Sequence, residues 1–141
     1  MKQLIFVFII VCAIASCEKK KVGFLIVDQA GYDPDEMTVL WASGLDPVED
    51  STRIRLKFPW VSPEVQGVLG TVPYQYLIDK IYTSDGDETS FRKYTRMRIG
   101  DGSFEIPFDH QIKRGKYVIG VTIKNEGYTI NKDSLFTIIV K

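Results

Sequence analysis

The stretch Lys116-Tyr117-Val118-Ile119-Gly120-Val121-Thr122-Ile123-Lys124 puts Tyr117, Ile119, Val121 and Ile123 on one side of an extended chain. Successive side chains of a strand point to opposite faces, so four large apolar residues at that spacing predict a half-buried β-strand. Similar alternation recurs in Arg53–Phe58, through Ile54, Leu56 and Phe58, and in Ser103–Phe108, through Phe104, Ile106 and Phe108. Arg92–Ile99 reads as a strand with Arg96 and Arg98 outward and Met97 and Ile99 inward. Apolar runs at Val22–Val27, Met37–Trp41 and Leu135–Val140, and the aromatic and β-branched run Tyr74–Tyr82, add further strands. Turn residues separate them at Gly31–Asp35, Ser43–Pro47, Ser84–Asp87, Gly100–Gly102 and Asn125–Gly127. Gly100-Asp101-Gly102 between two alternating runs predicts a hairpin. No long window carries a helical period, and only Thr89–Tyr94 suits a single helical turn.

About seven short strands with regular turns describe a sandwich or a barrel. Tyr117 follows Ile112-Lys113-Arg114-Gly115-Lys116 at the start of the penultimate strand. That is the place of a tyrosine corner, whose hydroxyl bonds backbone a few residues upstream, and it favours an all-β, immunoglobulin-like antiparallel β-sandwich.

The N-terminus predicts an address. Lys2 is followed by an almost unbroken apolar stretch, Leu4–Ile14, which is shorter than the about 20 residues a membrane-spanning helix needs. Small residues Ala13, Ala15 and Ser16 then precede Cys17, as at the end of a secretory signal. Ile14-Ala15-Ser16-Cys17 resembles a bacterial lipobox, which implies acylation of Cys17. The expected organisation is a signal peptide at 1–16, a lipidated tether at 17–21 and the sandwich at 22–141. Several acyl chains would hold the protein to a membrane. Cys12 would leave with the signal and Cys17 would be capped, so no thiol would remain for a disulfide, a metal or a nucleophile. Without Lys2 the chain carries 17 Lys and Arg against 18 Asp and Glu, a balance that offers no basic excess for nucleic acid.

Pro59–Tyr74, Asn125-Glu126-Gly127 and Leu135-Phe136-Thr137-Ile138 resemble segments of a group of small, poorly characterised Bacteroidetes lipoproteins. The resemblance implies an immunoglobulin-like sandwich in the cell envelope and no particular activity. Asp28-Gln29-Ala30-Gly31-Tyr32 is similar to part of the immunoglobulin-like domain ahead of some glycosidase catalytic domains. The family's surface-exported members carry acidic residues after the cysteine. Glu18-Lys19-Lys20-Lys21 is mostly basic, which favours the periplasmic side of the outer membrane.

Catalytic groups are scarce. His110 is the single histidine and reads as a residue of a solvated Asp109-His110-Gln111 turn, since a triad or metal cluster would need partners it lacks nearby. Asp85, Asp87 and Glu88 crowd around Gly86 without the spacing of a calcium loop and read as a hairpin turn, and Asp33, Asp35 and Glu36 are read likewise. No enzyme, metal or cofactor is expected. Trp41 and Trp60 are the candidate ligand contacts, because binding sites pair an aromatic platform with a few polar groups; the alternative role for each is a core residue. Trp60 lies between Pro59 and Pro63 on a stiffened segment. The expected function is a membrane-tethered, non-enzymatic module of the bacterial cell envelope that binds a protein partner or supports an envelope assembly, with carbohydrate binding for a glycan-uptake system as the alternative.

Overall fold

The computed structural model describes residues 20–141; the expected signal peptide and Cys17 lie outside the described residues. The body is mostly β-structure in largely antiparallel sheets. A four-stranded sheet has the order β2 (Glu36–Val39), β9 (Thr129–Val140), β8 (Gly115–Lys124), β5 (Gln75–Tyr82). A three-stranded sheet joins β3 (Trp60–Val61), β7 (Phe104–Ile106) and β6 (Arg96–Met97), and a small pair joins β1 (Leu25–Ile26) to β4 (Leu69–Gly70).

The β8–β9 hairpin is the centre of the core. Tyr117, Ile119, Val121 and Ile123 are fully buried, and Phe136 and Ile138 stand opposite Ile119 and Tyr117 in register. The two larger sheets meet through aromatic rings. Phe104 of β7 stacks on Phe136 of β9 with centroids 5.3 Å apart, and Tyr32 tilts against both. Full burial of a side chain of this size contributes about 1.5–3 kcal/mol, which makes this seam the main source of stability. The β6–β7 hairpin forms at the predicted turn, pairing Met97 with Phe104. Gly102 in that turn has φ 72° and lies so close to Val65 and Tyr76 that a Cβ would collide with them, so the position needs glycine on both counts.

Tyr117 forms the predicted corner. Its hydroxyl donates to Lys113 O at 2.6 Å and accepts from Asp87 N–H at 2.9 Å, and its ring stacks on buried Phe91 at 4.5 Å.

Several expectations require correction. Arg53–Phe58 is not a strand: Ser51–Leu56 is helix α1. Asp46 nucleates the preceding turn by accepting from Val48 N–H and Glu49 N–H, while Ile54 N–H bonds Asp50 O. The helix ends at Lys57, held at φ 50°, just before Phe58-Pro59, where the proline disfavours helical backbone for its predecessor. The expected strand Arg92–Ile99 starts inside a helix and is mostly not a strand. Helix α2 spans Glu88–Tyr94, and only Arg96–Met97 pair as a strand. Asp87 caps α2 by accepting from Ser90 N–H at 2.7 Å, so the acidic Ser84–Asp87 turn starts a helix rather than closing a hairpin. Ile99, expected inward, is exposed. The strand pairing is not wholly antiparallel either, because β2 runs parallel to β9, with Glu36 opposite Thr137. Finally, His110 is buried, 3% exposed, with consequences described below.

Candidate functional site

The chain from Asp46 to Val61 presents a run of exposed apolar side chains. Helix α1 buries none of its side chains. Its length is about one and a half turns at 3.6 residues per turn, so apolar residues two apart land on nearly opposite sides. Ile54 and Leu56 therefore cannot both turn inward. Leu56 and Phe58 are each half exposed, and Val61, on the edge strand β3, is exposed as well.

Beneath this surface lies a cation–aromatic stack. The Arg53 guanidinium carbon sits 3.8 Å from the Trp60 ring centroid. Its Nη1 donates to Pro59 O at 3.0 Å and to Phe58 O at 3.3 Å. The two carbonyls orient the planar guanidinium over the indole, an arrangement worth about 0.5–2 kcal/mol. Trp60 is half-buried and packs against the core, and its Nε1–H is shut away without an acceptor among the described residues. Beside the stack, Lys57, Pro59, Glu105, Pro107, Phe108 and Asp109 line an open groove of about 310 Å³. A second groove, of about 330 Å³, lies across β7 and shares Glu105 and Pro107. The surface here combines apolar side chains with charges of both signs.

The other candidates lie elsewhere. Trp41 is half-buried at the end of β2; its Nε1–H donates to Ile112 O at 2.8 Å, and the Arg114 guanidinium stands over its ring. Trp41 and Trp60 thus carry an arginine each and do not form a joint aromatic platform. His110 serves this same corner. Its Nε2 lies 3.1 Å from Leu40 O, and its Nδ1 accepts from Ile112 N–H at 3.4 Å. One donor and one acceptor match the neutral imidazole. Burial holds its pKa below the usual histidine value, against the opposing influences of the Leu40 carbonyl and Asp109. His110 ties the loop before β8 to the end of β2, so it is a structural pin whose ring nitrogens are already engaged.

The acidic turn is likewise occupied with backbone. Asp85 Oδ1 accepts from Lys116 N–H, and the Asp87 carboxylate, held below the usual aspartate range by the Ser90 backbone N–H, caps α2. Among the described residues no group of three or more His, Cys, Asp or Glu is arranged to hold a metal ion.

Arg53 is the site residue that sequence reasoning missed. Read as a strand, Arg53-Ile54-Arg55 sends its arginines to the solvent face. The available signal was Asp46-Pro47 followed by Asp50-Ser51, which is a helix-start composition. Compared with known proteins, the chain matches no family model, no curated protein and no solved structure.

Proposed function

We propose that this chain is a membrane-tethered, non-enzymatic binding module of the bacterial envelope, an immunoglobulin-like sandwich whose α1–β3 face receives a protein partner. One observation carries the reading: helix α1 contributes nothing to the core, and Leu56 at its end, with Phe58 and Val61 just after it, stands exposed. Exposed apolar side chains grouped along one segment and edged by polar ones suit an interaction surface. Arg55 and Lys57 edge the patch, which suits a partner surface with apolar side chains and a carboxylate rim. The immunoglobulin-like assignment draws on the Tyr117 corner and on the Phe104–Phe136 seam between sheets. The tether reading draws on the lipobox-like Ile14-Ala15-Ser16-Cys17.

A protein partner is favoured over a glycan because the Trp60 ring carries the Arg53 guanidinium where a sugar would stack. A photo-crosslinking amino acid in place of Phe58, in intact bacteria, should give one discrete protein adduct that Leu56→Glu abolishes. No adduct, together with specific glycan-array binding by the intact domain, would replace the protein by a carbohydrate. The anchor has its own test: Cys17→Ser should abolish lipid labelling and release the protein from membranes.

A further inference from the structure

The β1–β4 pair has one apolar face too many. Along the chain before and through β1, Leu25 and Val27 are buried, whereas Val22, Phe24 and Ile26 are 73%, 52% and 45% exposed. Ile26 stands opposite Leu69, itself 61% exposed. Phe24, Ile26 and Leu69 thus extend an outward apolar strip that no part of the described chain covers. The strip is also held firmly. Asn125 Nδ2 donates to both Phe24 O, at 2.9 Å, and Thr71 O, at 3.1 Å, and Thr71 N–H bonds Phe24 O. A fixed, exposed face of branched and aromatic residues calls for an apolar medium on its outer side.

Two features identify that medium. Cys17 precedes Val22 by five residues, a reach of at most about 18 Å even when fully extended. The intervening residues include Lys19, Lys20 and Lys21, the last with its ammonium 5.5 Å from the Tyr128 ring centroid. Lysines beside apolar side chains complement an anionic lipid surface. Resting on the reading of Cys17 as acylated, we infer that Val22, Phe24, Ile26 and Leu69 lie in the headgroup region of the bilayer and set the domain's orientation. The occupant of this face is the lipid surface, not a second protein.

The fold converts that contact into a polarity. Strand β8 runs from Gly115 to Lys124, next to the Asn125–Tyr128 turn that grips β1. At about 3.3 Å per residue its start lies about 30 Å from its end. Ser84, which follows β5 where Tyr82 pairs with Val118, sits near the far end. The chain from β7 likewise leads away from Gly102, packed on Tyr76, towards His110 and its bond to Leu40. The groove beside Lys57 and Asp109 is thereby held towards the outer end, facing away from the membrane.

The test uses the full chain, processed in a bacterial host, extracted and reconstituted into vesicles of phosphatidylcholine and phosphatidylglycerol with brominated acyl chains. Ile26→Cys and, separately, Leu69→Cys carry an environment-sensitive fluorophore; Ser84→Cys carries the same probe at the far end. At positions 26 and 69 the emission should shift to the blue and be quenched several-fold more than at position 84. Co-sedimentation with vesicles but water-like, unquenched emission at both 26 and 69 overturns the inference and leaves the anchor standing. Failure to co-sediment at all overturns both.

Discussion

The β8–β9 hairpin and the α1–β3 segment are opposite kinds of region built from similar side chains. In β8, Tyr117, Ile119, Val121 and Ile123 are fully buried and paired with β5 on one side and β9 on the other. In α1 and the residues after it, Ile54, Leu56 and Phe58 reach solvent, and the only stack formed is Arg53 on Trp60. Both regions alternate apolar residues along the chain. The difference is what surrounds them. Strand β8 is followed by the short Asn125–Tyr128 turn, in which Asn125 N–H bonds Tyr128 O and Asn125 Oδ1 accepts from Gly127 N–H and Tyr128 N–H, so a partner strand arrives at once. The α1 segment follows the Asp46 turn, which supplies a helical start, and runs into Pro59, which ends it. Alternation makes a strand only where the chain also supplies a neighbour.

The largest effect should come from breaking the buried side of this comparison. Ile119→Ala removes fully buried volume from the seam beside Phe136 and should cost about 2–5 kcal/mol in denaturant unfolding. Next, Tyr117→Phe leaves both Lys113 O and Asp87 N–H without their partner and should cost about 1–2 kcal/mol by the same measurement.

A pH effect should follow from His110. Its folded-state pKa is lowered by burial, so as pH falls the unfolded chain takes up the proton first. Stability is then full above the ordinary histidine pKa of 6.5 and declines below it. Unfolding curves recorded down through that range should show the decline, and His110→Gln should flatten it. At the small end, Leu56→Ala should change stability by no more than about 0.5 kcal/mol, because α1 buries none of its side chains.

The core strands were legible because their apolar residues fall on one face: β5, β8 and the short β7 sit where the runs predict, as does the β6–β7 hairpin, while β9 begins at Thr129, ahead of the predicted Leu135–Val140. The tyrosine corner was legible because its bond is local, four residues upstream. What was not legible depends on distant chain. The parallel pairing of β2 with β9 joins Glu36 to Thr137, and no local pattern encodes the direction of such a pair. His110 looked like part of a polar turn because its neighbours are Asp109 and Gln111; the carbonyl that receives it belongs to Leu40, 70 residues away. Of the candidate site, Trp60 stood out between its prolines, but Arg53 was misassigned with its helix. The groove residues Glu105 and Asp109 come from a different segment and join Lys57 only in the folded chain.

The central claim is that α1 belongs to a binding face and not to the core. Native-state hydrogen exchange tests it most directly, since amides of the core open only with the whole domain while unpacked elements open locally. The account predicts that the amides of Ile54 to Phe58 exchange orders of magnitude faster than those of Ile119 to Ile123 in the free protein. Equal protection of the two sets would mean that α1 is locked to the core, and would contradict the account.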